Sequence, residues 1–222
     1  MPTYTALVAG AGGLTGSHLL QLLLQHPDYS QVTILVRHPL PINHPKLLQI
    51  TVNFDQLEQY APQLAANHVF CCLGTTIKKA GSQENFKKVD YHYIVNLAQL
   101  TAAAGAQQFL LVSSMGANPA SSLFYSKVKG QTEQAIMQQP FSAIHIFRPS
   151  LLLGNRQEYR FGEQLAVTAF KALGFLMAGS LAKYRGIEAH DVAKAMLATA
   201  LTPQTGTHIY LSDQIQQIAD NR

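Results

Sequence analysis

Residues 10 to 16 read Gly10-Ala11-Gly12-Gly13-Leu14-Thr15-Gly16, directly after an apolar run and directly before a helical pattern. Glycines at 10, 13 and 16 give a Gly-x-x-Gly-x-x-Gly spacing, with Thr15 where Gly-x-Gly-x-x-Gly would have its third glycine. Glycine permits a tight turn and close backbone approach, and the following helix start offers unpaired N–H groups and a positive dipole end. That chemistry suits a pyrophosphate, so the turn around Gly10, Gly12, Gly13 and Gly16 is expected to hold a dinucleotide. An ordinary strand-to-helix turn would also use such glycines; the strand before and the helix after favour binding.

Further candidates follow in chain order. Arg37-His38 stand at the end of the second apolar run, where an acid would bond a ribose 2′-hydroxyl, and no acid occurs between Val32 and Pro45. Arginine suits a 2′-phosphate through charge-assisted hydrogen bonds, so NADP(H) is expected over NAD(H). Tyr125-Ser-Lys-Val-Lys129 opens a helical pattern, placing a phenol and an ammonium on one face. An ammonium beside a phenol favours the phenolate, and such a tyrosine can exchange a proton with a carbonyl oxygen while a nicotinamide moves hydride. Ser113 and Ser114 precede this pair, where a hydroxyl could hold the substrate oxygen.

The elements that must position these groups alternate. Apolar runs of strand length occur at Tyr4–Ala9, Val32–Val36, Leu47–Val52, His68–Leu73, Phe109–Ser113 and Ala143–Phe147. Helical patterns occur at Leu14–Gln25, around Asp55–Ala65, at Glu84–Ala104 with Gly105 as its stop, and at Tyr125–Gln138. Such alternation predicts an α/β fold: a doubly wound parallel sheet of Rossmann type with about seven strands. After residue 150 the pattern is less regular, with helices at Gly162–Leu173 and Ala189–Leu201 and a last strand at His208–Leu211. No linker, repeat or low-complexity tract appears, so residues 1–222 are expected to form one domain, those from about 150 onward contributing a substrate lobe.

Taken together, the glycine turn, Leu73-Gly74-Thr75 after the fourth strand, the serines after the fifth, and Tyr125 with Lys129 resemble the short-chain dehydrogenase/reductase superfamily in its extended or atypical branch. Phe70-Cys-Cys-Leu-Gly-Thr-Thr76, Ser113-Ser-Met-Gly-Ala117, Leu123-Phe-Tyr-Ser-Lys-Val-Lys-Gly130, Phe147-Arg-Pro149 and Asn155-Arg-Gln-Glu-Tyr-Arg160 narrow the resemblance to the Tat-interacting oxidoreductase-like family and its bacterial relatives. The resemblance implies an NADPH-binding Rossmann domain with a small C-terminal substrate lobe. It implies that Gly10, Gly13, Leu14 and Thr15 face the pyrophosphate, and Arg37 and His38 the 2′-phosphate. Asn53 and Phe54 would lie near the adenine, and Leu73 and Gly74, with Thr75, along the ribose. Ser113 and Arg148 join this cofactor set, and Leu152 and Arg160 would approach the nicotinamide. Tyr125 and Lys129 would be the catalytic pair. In many extended members the active hydroxyl lies one position after the second serine, here Met115, which leaves Ser114 as its substitute. Asn96 is the candidate for the relay asparagine of the superfamily.

Composition bounds the alternatives. Hydrophobic residues make up 47% of the chain, and charged ones only 13% against roughly 25% in an average domain, which excludes disorder. A net charge of +4 with no basic cluster argues against nucleic acid. No signal peptide or spanning segment is evident, so no membrane is expected. Cys71 and Cys72 are adjacent, which argues for a small apolar role and a reducing compartment. Nine histidines show no metal spacing, and no metal is expected. The apolar stretch from Ala172 to Ala182 is expected to be a packed surface of the substrate lobe. The sequence thus predicts a cytoplasmic NADP-dependent oxidoreductase, monomer or homodimer, acting on a small carbonyl or alcohol. The alternative is a regulatory NADPH-binding redox sensor or protein-interaction module that engages a protein partner with little turnover.

Overall fold

The computed structural model describes residues 4–154 and 183–221. In chain order the elements are β1 (Tyr4–Ala9), α1 (Leu14–Gln25), β2 (Tyr29–Val36), β3 (Leu47–Thr51), a 3₁₀ segment (Phe54–Gln63), β4 (His68–Cys71), α2 (Ile77–Ala80), α3 (Gln83–Lys87), a π-turn (Lys88–His92) and α4 (Tyr93–Ala103). There follow β5 (Gln108–Val112), α5 (Phe124–Met137), β6 (Ala143–Arg148), β7 (Leu152–Leu153), β8 (Ile187–Glu188), α6 (Ala189–Ala200), β9 (Gly206–Leu211) and α7 (Ser212–Asp220).

Seven strands form one sheet in the order β3-β2-β1-β4-β5-β6-β9, every pairing parallel. Strand order reverses between β1 and β4, the place where ligands bind in open α/β sheets. Alternation along each strand divides the core. Ala6 and Val8 of β1 pack with α1, α6 and α7 through Leu19, Leu23, Val192, Met196 and Ile215. Leu7 and Ala9 face the other way, toward Leu57 of the 3₁₀ segment, Ile94 and Leu97 of α4, and Ile136 of α5. Because both faces are covered, Val32 to Val36 are buried without a break, Thr33 included, as their β-branched and largely apolar composition predicts.

Three details depart from the sequence expectation. The helix expected over Glu84–Ala104 follows one path but is split: α3 starts at Gln83, with Ser82 Oγ accepting from the Asn85 N–H at 3.0 Å, and then widens at the π-turn before α4. That wide turn carries Asp90 inward, to complete burial. The helix expected around Asp55–Ala65 is 3₁₀, because Pro62 lacks an N–H and Gln56 leaves helical geometry at φ −135°. Three features were not expected: the four-residue α2, the helix α7, whose glutamine-rich sequence buries only Ser212, Ile215 and Ala219, and the two-residue ladder β7–β8. The helix expected at Gly162–Leu173 and the stretch Ala172–Ala182 lie outside the described residues.

Helix α5 is pressed closely onto the preceding loop. A Cβ added at Gly130 would lie 2.2 Å from the Pro119 nitrogen and 2.3 Å from the Asn118 carbonyl carbon. Alanine normally favours a helix interior over glycine by about 1 kcal/mol. Here a backbone neighbour must move, and overpacking of that kind costs about 1–3 kcal/mol. Gly130→Ala should therefore lower the urea midpoint; an unchanged or raised midpoint would show that the loop yields freely.

Candidate functional site

The site lies at the carboxyl ends of β1 and β4. Gly10 adopts φ +88°, and a Cβ there would stand 2.6 Å from the Cys72 carbonyl group, so only glycine lets the turn cross the end of β4. The Gly13 N–H donates to the Gly10 oxygen at 2.9 Å, closing the turn, and a Cβ on Gly16 would lie 2.1 Å from that same oxygen. Gly12 and Gly13, by contrast, are exposed. Helix α1 begins after Gly13 with no side-chain cap and no acid in its first turn. Its leading N–H groups are thus left for an external acceptor. An exposed glycine pair ahead of an uncapped twelve-residue helix fits the pyrophosphate of a dinucleotide.

The other expected cofactor contacts lie on several elements. Leu14 is half-buried and Thr15 buried, while Arg37 and His38 are exposed just beyond β2. Asn53 caps the 3₁₀ segment, its side-chain oxygen accepting from the Asp55 N–H at 3.0 Å. Phe54 is buried against the Tyr93 ring, with centroids 5.4 Å apart. Leu152 sits in β7, and Arg160, with the stretch Asn155 to Arg160, lies outside the described residues.

Helix α5 brings the proton-handling groups to the edge of the turn. Tyr125 packs its ring on buried Phe86, 5.5 Å between centroids. Lys129 is buried, and its Nζ pairs with Asp90 Oδ1 at 2.9 Å. Burial works against the ammonium, but the charge of Asp90, followed by that of Tyr125, outweighs it and holds Lys129 above the ordinary lysine value. The other Asp90 oxygen, Oδ2, accepts the Thr75 N–H at 2.8 Å, and Thr132 Oγ1 donates to the Asp90 backbone oxygen at 2.7 Å. Gly74 covers the pair: a Cβ there would lie 3.5 Å from Asp90 Oδ1 and 3.8 Å from Lys129 Nζ.

One helical position further, buried Glu133 accepts from Ser113 Oγ and from Arg148 Nε and Nη2. Ser113 and Arg148 are thus joined to α5. Ser114 Oγ is different: it is buried and finds no hydrogen-bond partner among the described residues. A hydroxyl so placed is open to a ligand oxygen. Asn96, the candidate relay asparagine, donates to Glu58 Oε1 at 2.8 Å in an exposed contact, and Asp90 occupies the place facing Lys129. Cys71 is buried and its thiol is pushed up to about 12 by desolvation, which keeps it protonated; burial raises Cys72 as well.

Asp90 and Glu133 escaped sequence reasoning because a lone carboxylate in a helical run reads as a surface group. A signal existed for Asp90: residues 86, 90, 94, 97 and 101 follow helical spacing, and the four others, Phe86, Ile94, Leu97 and Thr101, are buried.

Comparison with known proteins then identifies what the chain is similar to. A family model described as NAD(P)H-binding matches residues 10–203. HTATIP2 of Rattus norvegicus is 37% identical over 210 residues, spanning 93% of this chain and 85% of that protein. Two fungal proteins named FMP52, mitochondrial, are also similar: that of Candida albicans is 34% identical over 95% of this chain and 93% of its own, that of Coccidioides immitis 31% over 91% and 88%. Among solved structures, MoeE5 in complex with UDP-glucuronic acid and NAD superposes with a TM-score of 0.72 at 18% identity, over 92% of this chain and 75% of its own. The oxidoreductase ylbE of Lactococcus lactis gives 0.67 at 16%, over 98% and 95%. These two likenesses concern the fold.

The resemblance to the Tat-interacting oxidoreductase-like family is borne out by these relatives. The cytoplasmic location is overturned by the mitochondrial names of the fungal ones. That expectation rested on unpaired cysteines and the lack of a spanning segment, features that any reducing compartment accommodates. Among the described residues no helix is long and apolar enough to cross a membrane.

The Glu133 junction can be tested by itself. Glu133→Ala strands the Arg148 guanidinium, which is 24% exposed in the pair, so the cost should fall near the lower end for a broken buried ion pair, about 3 kcal/mol. Glu133→Gln should recover part of this, since its carbonyl still accepts from Ser113 and Arg148. Chemical denaturation that finds Glu133→Ala as stable as the parent would show that the junction contributes nothing.

Proposed function

This chain belongs to the NAD(P)H-binding family that its residues 10–203 match, and on that premise we propose that it is an NADP(H)-dependent oxidoreductase acting on a small carbonyl or alcohol. The observation that carries the reading is a buried, charged Lys129 one helical turn from Tyr125, beside an uncapped glycine turn fit for a pyrophosphate. When bound, the nicotinamide supplies or accepts the hydride. Tyr125 transfers the proton between its Oη and the substrate oxygen, and the ammonium of Lys129 stabilises the phenolate that remains. Ser114 Oγ, without a hydrogen-bond partner among the described residues, donates to that same oxygen. Exposed Arg37, with His38, engages the 2′-phosphate at the end of β2.

A second reading, an NADPH-binding sensor with little turnover, draws on Met115 in place of the expected hydroxyl and on the Asp90 charge that offsets Lys129. Turnover separates the two.

Arg37→Ala should weaken NADPH binding by about tenfold or more, the worth of one charge-assisted contact, and leave NADH unchanged. Calorimetric titration showing equal affinity of the parent for both cofactors would end the NADP assignment. Tyr125→Phe keeps the ring against Phe86 and removes the proton. Its cofactor affinity should hold while turnover of a carbonyl found by a panel assay falls by about 10²–10⁴-fold. An undiminished rate would remove Tyr125 from the mechanism.

A further inference from the structure

One carboxylate holds two parts of this site that come from distant stretches of chain. Asp90, wholly buried in the π-turn, binds the Lys129 ammonium through Oδ1 at 2.9 Å and the Thr75 N–H through Oδ2 at 2.8 Å. Its backbone oxygen receives Thr132 Oγ1 at 2.7 Å. Lys129 and Thr132 belong to α5, whereas Thr75 belongs to the loop that leaves β4. Gly74, the residue before Thr75, is exposed on its outer side and covers the ion pair on its inner side. A side chain with no acceptor for the ammonium would leave Lys129 buried without a counter-charge, and burial alone favours its neutral form. A lysine that loses its proton can no longer stabilise a phenolate or donate three hydrogen bonds.

We propose that Asp90 is a positioning residue: it locks the Lys129 ammonium and the Gly74–Thr75 loop into one frame, so that both meet the ribose end of the dinucleotide. This rests on the cofactor reading given above. The titratable groups facing Lys129 are Asp90 from the π-turn, Tyr125 from its own helix and Cys71 from β4. Cys71 stays a neutral thiol because burial raises it to about 12, so Asp90 supplies the compensating charge below the range where tyrosine ionises.

The test is NADPH titration of the full chain between about pH 7 and pH 9.5, below the ordinary lysine value. Parent affinity should be flat in this window, because Asp90 holds Lys129 charged above its ordinary value. Asp90→Asn still offers an oxygen to the Thr75 N–H, but it removes the charge and turns an NH2 donor toward the ammonium. It should bind about tenfold more weakly near neutrality, the scale of one lost charge-assisted contact. It should lose more as pH rises, as the uncompensated ammonium gives up its proton. Where this variant folds poorly, Asp90→Asn combined with Lys129→Gln leaves no buried charge and keeps the fold; it should bind weakly with no slope against pH. Asp90→Asn matching the parent in affinity and slope, or the double variant binding as the parent does, overturns the proposal while leaving the cofactor reading intact. A parent that binds no NADPH overturns the cofactor reading, and this proposal with it.

Discussion

Taking a carboxylate and an ammonium out of water costs more than their attraction returns unless their geometry is fixed and the remaining lone pairs and protons find partners. The Asp90–Lys129 pair meets the carboxylate's part of that condition by recruiting its neighbours: the Thr75 N–H on the free carboxylate oxygen, and Thr132 on the backbone of the same residue. Much of the site follows from this requirement. The π-turn carries Asp90 inward, Gly74 lies in contact range of the pair, and α5 is held at Lys129 and Thr132. Glu133, the next residue, fixes the same helix to β6 through Arg148. Apolar packing by Val128 and Ile136 brings α5 to the sheet, and the polar ties set its rotation.

Two kinds of glycine share the turn after β1. Gly10 and Gly16 are architectural: a methyl group on either would strike backbone, and the crossing of β1, β4 and α1 would open. Gly12 and Gly13 face outward, where their lack of side chains serves whatever approaches. The motif therefore encodes a packing problem and a binding surface in seven residues.

This division explains how much was legible in the sequence. The fully buried strands announced themselves as apolar runs, and Gly105, at φ +85°, ended a helix as its position indicated. Tyr125 with Lys129, and the glycine turn, were readable because their partners lie within one turn of chain. Asp90 was not, because its tie to Thr132 of α5 crosses 42 residues, and the Arg148 bond to Glu133 crosses 15. Local spacing reports local partners. Boundaries failed where polar residues enter elements: β2 begins at Tyr29, three residues before the apolar run, since Ser30 and Gln31 sit at its exposed start. Helix α7 was missed for the same reason. Arg37 and His38 are exposed just beyond β2, and their chemistry was inferred from what is missing there, an acid.

The ladder between β7 and β8 is only two residues long, yet Leu152 lies opposite Ile187 and Leu153 opposite Glu188. Chain that leaves the frame at Gly154 thus returns beside its point of departure, and α6 resumes the core immediately afterward. Two positions far apart in the chain are thereby fixed side by side, and doubling the length of chain between such positions adds only about 0.6 kcal/mol of closure entropy. A change in the number of residues between these two strands is therefore compatible with an unchanged seven-stranded sheet.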